Sequence, residues 1–381
     1  MRLGLDLLYL VPGETGGRET YARELIGALL AADPSLEPVA FTGRDGGGEW
    51  ARERGLRTVV LPVSIAHPER WAFGELVQLP AAGARAGVEL MHSLANFGPA
   101  AGPFARVLTL HDLQWRAVPE LFSPARRLAT GALVGTAVRR AHRLVTVSRA
   151  SREEIISGLG VSPDRIDAIP NGVVHEPASL APEAELRARL RLSERPLLLS
   201  VATALPHKNL TGLLEALAVI EPGRRPLLAL AGAHTDGRDV AARVAELALE
   251  EDVRPLGFEP EATLERLYAM ASGVVVPTFY EGFGLPVAEA LARARPVACS
   301  DLPVLRELAG DTALYFDPNR PRAIADAMLA LVEDPERVTR LALAGRTRMA
   351  ALTWETAARS TLESYRRALS DAGRGGPPVH H

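Results

Sequence analysis

Two carboxylates eight residues apart, Glu281 and Glu289, bracket the stretch "EGFGLPVAE". A carboxylate accepts hydrogen bonds from two adjacent hydroxyls, which suits a sugar or ribose diol. Between the acids, Gly282, Phe283, Gly284 and Leu285 run into Pro286, a residue favoured in a first helical turn. A helix starting there points the Gly284 and Leu285 amides, and the positive end of its dipole, toward an anion. Phosphate-binding amides flanked by diol acceptors are what a sugar nucleotide requires. A cation is at hand in "ALPHKNL": of 43 Lys and Arg residues, Lys208 is the single lysine and the other 42 are arginine. Lysine offers a compact point charge with three donors, where arginine offers a flat fork.

For these groups to meet, strands must end beside them. Strand candidates in the first half are 2–10, 37–43, 57–63, 89–94, 106–111 and 143–148. In the second half they are "RPLLLSVAT", "RPLLALAGA", "DVRPLGF", "SGVVVPT", "RPVACSD" and "TALYFDP". Between them lie segments of helical period such as "GGRETYARELIGALLAA" and "NLTGLLEALAVI". Continuous apolar strands alternating with helices imply parallel sheets covered on both faces. Two such series imply an α/β chain of two doubly wound, Rossmann-like domains, joined near "IPNGVVHEPASLAPEAE". Ligands of open parallel sheets sit at the carboxyl ends of strands, so two such domains facing each other would form a cleft. Lys208 follows "RPLLLSVAT", Glu281 follows "SGVVVPT", and His111 and Asp112 end "VLTLHD". His92 and Asn96 follow the strand at 89–94, where they either face a second substrate or serve the core and a turn.

Composition removes several classes. With 381 residues, 47% hydrophobic, 23% charged and a net charge of −3, the chain is not globally basic, which argues against a dedicated nucleic-acid binder. One cysteine, Cys299, excludes an intrachain disulfide or a multi-cysteine metal site, and its run "PVACSD" makes it a small hydrophobe. "MRLGLDLLYLVPG" carries Asp6 and no positive leader, so it reads as a first strand, not a signal peptide. No run reaches the roughly 18–20 apolar residues of a membrane span, and the expectation is a cytoplasmic protein. No G-x-G-x-x-G follows a strand, which disfavours a nicotinamide enzyme.

"EGFGLPVAE" resembles the E-x7-E motif of GT4-type retaining glycosyltransferases (glycosyl transferases group 1) of the GT-B fold. The resemblance runs through nearly the whole chain. "TGGRETYARELIGAL", "MHSLANFGP", "LTLHDL", "VTVSRASREEI", "IPNGV", "LGF" at 256–258, "LYAMASGVVVPT" and "SDLPVLRELAGDTALYFDP" follow in the family's order. It implies an acceptor-binding domain over 1–172 completed by a C-terminal helix at about 357–372, and a donor-binding domain over 173–356. The tail 373–381, rich in Gly and Pro, reads as disordered.

Roles carry over one residue at a time. Lys208 resembles the lysine that contacts the donor diphosphate, Glu281 the acid on the sugar hydroxyls, and Glu289 the acid on the nucleotide ribose. His111 resembles the histidine that reaches the donor sugar. Gly16 and Gly17 resemble the glycine loop whose backbone approaches phosphates. Thr203, Gly257, Phe258, Gly282, Phe283, Gly284 and Leu285 fall in the donor-binding segments, and His92 and Asn96 in those near the acceptor. Many relatives have arginine where this chain has Thr203, and often again where it has His207, so the number of cations is in doubt. The family usually has glycine near 294, where "ARAR" implies an altered helix turn.

The resemblance implies transfer with retention by front-face substitution, with the departing phosphate taking the acceptor proton. Besides the nucleotide-sugar donor and a sugar, lipid-linked or small-molecule acceptor, no cofactor is implied. No D-x-D cluster ends a strand, so no metal is expected. Segment 123–145 sets arginine pairs around a small apolar stretch and suits either an anionic membrane face or an ordinary domain helix. Rival readings are a sugar-nucleotide epimerase of the same fold and a non-catalytic sugar-nucleotide-binding subunit.

Overall fold

The computed structural model describes residues 1–174, 179–192 and 195–373. It divides into two units: an N-terminal unit of residues 1–172 together with the helix that begins at Trp354, and a second unit of residues 173–353. The tail expected from 373 lies, from residue 374 on, outside the described residues, as does part of the expected join.

The N-terminal unit is built on β1 (Arg2–Leu7), β2 (Glu37–Thr42), β3 (Arg57–Val60), β4 (Leu90–Ser93), β5 (Ala105–Thr109), β6 (Arg143–Thr146) and β7 (Ile166–Ala168). These strands form one parallel sheet in the order β3-β2-β1-β4-β5-β6-β7. The chain winds one way from β1 to β3 and the other way from β4 onward, so the topological switch lies between β1 and β4. Six strands fall on the apolar runs read from the sequence. The seventh, "IDA", is too short and too polar to stand out. Its Asp167 accepts from Arg143 at 2.7 Å and from Arg367 at 2.9 Å, tying the strand to β6 and to the terminal helix.

That helix, Trp354–Gly373, buries Trp354, Ala357, Ala358, Thr361, Leu362 and Tyr365. Their spacing of three and four residues makes one apolar stripe. It packs against the first helix, Gly17–Ala32, and against β5 and β6. The remaining core includes Phe41, Leu79 and Met91 in one cluster and Leu108, Val134 and Leu144 in another.

The second unit holds β8 (Leu197–Val201), β9 (Leu227–Ala231), β10 (Val253–Gly257), β11 (Gly273–Val276), β12 (Val297–Ser300) and β13 (Leu314–Phe316). Its parallel sheet has the order β10-β9-β8-β11-β12-β13, with the switch between β8 and β11. Every strand coincides with an apolar run of the sequence. Pro255 lies in β10, an edge strand, where a missing N–H costs little. Cys299 is wholly buried in β12, and burial pushes its thiol up to about 12. Leu198, Leu213, Leu228, Val275, Met328 and Leu331 form part of the core. After the helix Leu285–Ala292, Ala294 takes φ 50°, a left-handed turn that glycine makes without strain.

Candidate functional site

In the second unit the chemistry gathers at the switch point. Past β8, Pro206 opens a single turn, Pro206–Lys208, and Asn209 ends it with φ 54°. The Asn209 side chain caps the next helix, Leu210–Ala218, by accepting from the Gly212 amide at 3.2 Å. The same side chain donates to the Pro277 carbonyl at 3.1 Å and the Pro318 carbonyl at 2.9 Å. The His207 carbonyl accepts from the Phe279 amide at 2.7 Å and the Thr278 hydroxyl at 3.0 Å. The loop after β8 is thus riveted to the loop after β11. His207 is buried within the turn, so its place beside Lys208 adds no exposed cation.

The rivets set the position of the charges. Lys208 Nζ lies 2.6 Å from Glu281 Oε1, with the lysine side chain 20% and the glutamate 10% exposed. Residues that the family resemblance assigns to different parts of one donor are in direct contact. Beyond Glu281 the chain turns through Gly284 at φ 94°, where a Cβ would fall 2.5 Å from Leu305 Cδ2. Only glycine fits there, for both its backbone and its space. The helix Leu285–Ala292 then starts, with Val287 and Ala288 both donating to the Gly284 carbonyl. The Gly284 and Leu285 amides precede this ladder and sit at the positive end of the helix. Gly282 and Phe283 are buried in the turn.

Glu289, in this helix, accepts from the Tyr268 hydroxyl at 2.9 Å. Tyr268 is fully buried, and its phenol is pushed well above its ordinary pKa, by burial first and the Glu289 charge second. It therefore stays a donor and fixes the carboxylate's direction. Arg293 stacks 4.9 Å from the Tyr268 ring, pairs with Glu265 and donates to the Glu289 carbonyl at 2.8 Å. Sequence reasoning missed Tyr268 as a holder of Glu289. Its one signal was an aromatic hydroxyl on a buried helix face, which needs a partner.

The other donor-segment residues are more dispersed. Thr203 is half-buried in the loop after β8, its carbonyl accepting from Leu205 at 2.7 Å. Gly257 ends β10 with φ 72°, and a Cβ there would fall 2.8 Å from the Asp236 carboxylate. Phe258 follows it and is 66% exposed. These two lie at the sheet edge, two strands from Lys208.

In the N-terminal unit the loop after β1 closes on itself. Thr15 Oγ1 accepts from the Val11 amide at 2.8 Å and donates to the Val11 carbonyl at 2.7 Å, and Glu19 accepts from the Gly13 amide at 2.8 Å. Gly16 caps the first helix with φ 60° and ψ −133°, a conformation open to glycine, and Gly17 is its first residue. Past β5, His111 Nε2 donates to the Leu94 carbonyl at 2.8 Å, and its ring meets Tyr21 edge-on at 4.8 Å. Burial pushes this imidazole down to about 4. The ring is neutral near pH 7 with its proton on Nε2, which leaves Nδ1 as an acceptor.

The two acceptor candidates have partners within the unit. His92 is wholly buried: Nδ1 meets the Tyr365 hydroxyl at 2.7 Å and Nε2 meets Thr109 Oγ1 at 2.8 Å. Both of its nitrogens are taken up by partners in the core. Asn96 Oδ1 accepts from the His111 amide at 2.8 Å, and Nδ2 reaches Asp112 Oδ1 at 3.3 Å. It holds the His111 turn. Among the described residues no group of three or more His, Cys, Asp or Glu could hold a metal ion.

Comparison with known proteins places this architecture. Residues 182–348 match the family "Glycosyl transferases group 1", and residues 15–176 match "Glycosyltransferase Family 4". The chain is 32% identical to O-antigen chain mannosyltransferase B of Escherichia coli over 272 residues, 68% of this chain and 70% of that protein. It is 34% identical to a D-inositol 3-phosphate glycosyltransferase of Kineococcus radiotolerans, over 63% of this chain and 61% of that protein. Among solved structures, sucrose-phosphate synthase from Thermosynechococcus elongatus superposes with a TM-score of 0.80 at 23% identity, covering 97% of this chain and 99% of the other. Anabaena HepE, in complex with UDP and glucose, gives 0.75 at 20% identity over 95% and 98%. The chain belongs to the GT4-type glycosyltransferases of the GT-B fold and is a hexosyltransferase.

Proposed function

We propose that this enzyme transfers a hexose from a nucleoside-diphosphate sugar, GDP-mannose or a UDP- or dTDP-hexose, to an acceptor hydroxyl with retention of configuration. The second unit takes the donor, and the N-terminal unit takes the acceptor. The observation that carries this reading is the contact of Lys208 with Glu281 beside the Gly284 helix start. Donor binding exchanges partners there. The diphosphate takes Lys208 and the amides of Gly284 and Leu285, and the sugar hydroxyls take Glu281. Glu289, steadied by Tyr268, accepts from the ribose diol. His111 offers a neutral imidazole to the sugar, and Gly16 and Gly17 admit the phosphates close to backbone. Thr203, Gly257, Phe258, Gly282 and Phe283 complete the donor side.

In the step itself the bond from the anomeric carbon to the phosphate oxygen breaks and the acceptor oxygen bonds on the same face. The departing phosphate oxygen takes the acceptor proton. Oriented donors at the leaving group are the largest kind of catalytic contribution, and this reading gives them to Lys208 and the helix amides. Transfer is therefore expected to persist in EDTA.

The test is thermal unfolding with GDP-mannose, UDP-glucose, dTDP-glucose and ADP-glucose, followed by transfer with the stabilising donor. A ligand at about 100-fold over its Kd adds roughly 2.7 kcal/mol. The mannosyltransferase relative puts GDP-mannose first. Failure of every nucleotide sugar to stabilise the chain sinks the reading. Interconversion without an acceptor would mark an epimerase, and binding without turnover a non-catalytic subunit.

A cytoplasmic enzyme with a peripheral membrane contact is part of the proposal. The helix Pro124–Arg140 carries Arg126, Arg127, Arg139 and Arg140 and no acid, and its Leu128 is 77% exposed. Such a face suits anionic headgroups. Flotation with phosphatidylglycerol vesicles, lost in Arg126→Glu/Arg127→Glu, is the expected result, and absence of wild-type binding removes the contact.

A further inference from the structure

The first helix, β5, β4 and the terminal helix are joined through side chains by one buried hydrogen-bonded chain. Tyr21 OH lies 3.0 Å from Thr109 Oγ1, Thr109 Oγ1 lies 2.8 Å from His92 Nε2, and His92 Nδ1 lies 2.7 Å from Tyr365 OH. All four residues are buried. Tyr21 is also the wall of His111, edge-on at 4.8 Å, and its ring meets the Trp354 ring at 6.1 Å. We infer that the Tyr21–Thr109–His92–Tyr365 chain positions His111, so that the helix from the far end of the sequence sets the catalytic imidazole's orientation. The inference rests on the reading that His111 serves the donor sugar.

The chemistry of the chain gives it a direction. A neutral His92 has one donor and one acceptor nitrogen, and burial pushes His92 down to about 3, so it stays neutral. If Nδ1 donates to Tyr365, then Nε2 accepts from Thr109, and Thr109 in turn accepts from Tyr21. With the other tautomer every bond reverses. Either way Thr109 Oγ1 needs both neighbours, and its loss leaves buried polar atoms unmatched on the first helix and on β4. The relief available to Tyr21 is a rotation of its ring, which moves the wall of His111. Tyr21 makes the ring contact with His111 and the other three act through it, so these are positioning residues. A shift of about 1 Å in a reacting group suffices for a large rate loss.

The test uses the full chain and two isosteric pairs. Thr109→Val removes the central hydroxyl but keeps the shape, and Thr109→Ser keeps the hydroxyl. Tyr21→Phe keeps the ring against His111 and drops its anchor. The first readout needs no substrate: long-range proton–nitrogen spectra of histidine-labelled protein, with the His111 signals assigned from His111→Gln. Wild type is expected to show His111 as a single neutral tautomer protonated on Nε2. Thr109→Val and Tyr21→Phe are expected to shift those signals, and Thr109→Ser to restore them. With GDP-mannose or the donor found by thermal shift, kcat falls about tenfold in both variants while donor KM stays within about twofold. Val134→Ala, a core change in the same unit, serves as the control and leaves both readouts unchanged.

Unmoved His111 signals in Thr109→Val and Tyr21→Phe overturn the inference, as does an equal kcat loss in Val134→Ala. Wild-type turnover in His111→Gln removes the role of His111 and the inference with it. Impaired His111→Gln beside unimpaired Thr109→Val overturns the inference and leaves the proposed function standing.

Discussion

In the second unit the loops after β8 and β11 set a cation against an anion, Lys208 and Glu281, where each keeps some contact with solvent. In the N-terminal unit the side chains that meet around β4 and β5 are mostly neutral: two imidazoles, an amide, a hydroxyl and two phenols, with Asp112 beside them. Both sets stand at the same kind of topological switch. The difference follows burial. A desolvated imidazole gives up its proton, and His111 and His92 are pushed down to about 4 and about 3. A charge survives low dielectric when a partner lies within hydrogen-bond reach, as Lys208 and Glu281 do. One unit sets a charged pair at its switch and the other packs mostly neutral groups together.

The largest expected effect tests the charged half. Lys208→Met and Glu281→Gln should each lower turnover by on the order of 10²–10³. Each single change strands its partner, at about 2 kcal/mol, below the 3–5 of a fully buried pair. The double variant should regain stability in urea denaturation while turnover stays lost. Independent stability effects would show that the pair is not energetically coupled. Gly284→Ala comes next. It forces a side chain into φ 94° and against Leu305, and is expected to cost about 1–3 kcal/mol and to abolish stabilisation by the donor. A variant as stable as wild type would refute the claim that this turn demands glycine.

How much of this could be read from residues alone depends on range. Twelve strands were legible because strands buried on both faces leave continuous apolar runs, and β7 was not because "IDA" leaves none. Lys208, Glu281 and Glu289 could be picked out from rarity, loop composition and spacing. That Lys208 touches Glu281, 73 residues away, could not, because it depends on strand order. The partners of His92 and Asn96 were hidden for a related reason. A polar residue just past a strand looks the same whether it meets a substrate or a helix, and the partner of His92 lies 273 residues on. Tyr268 and Tyr21 were hidden among the apolar positions of their helices.

The neutral half makes a prediction of its own. With His111 held near 4, its neutral form dominates from pH 5 upward, and the rate profile should carry no limb from it between pH 6 and 8. Its folded pKa lies below the unfolded value of 6.5, so the stability it contributes is complete above pH 6.5 and is lost as pH falls toward 4. A limb near 6.5 that disappears in His111→Gln would move His111 to the charged side of the comparison.

The smallest effect lies in β1, where two buried carboxyls share one proton. Asp6, in β1, accepts from the Leu8 amide at 3.2 Å and the Ser93 hydroxyl at 2.7 Å, and also hydrogen-bonds to Glu75. Glu75 sits in a π-helical turn, Gly74–Gln78, and both carboxyls are almost fully buried. Two carboxyls form a hydrogen bond when one carries a proton. Burial raises Asp6 to about 6 and raises Glu75 well above its ordinary value, to which the neighbouring Asp6 charge adds. Folded protein then binds more protons than unfolded protein above about pH 4.5, so the pair's contribution falls as pH rises. Glu75→Gln supplies a donor to Asp6 without needing a proton. Relative to wild type, this variant should therefore gain about 1–2 kcal/mol between pH 5 and pH 8 in denaturant titrations, one pKa unit being 1.36 kcal/mol. A variant that tracks wild type at both pH values would mean that the two carboxyls share no proton.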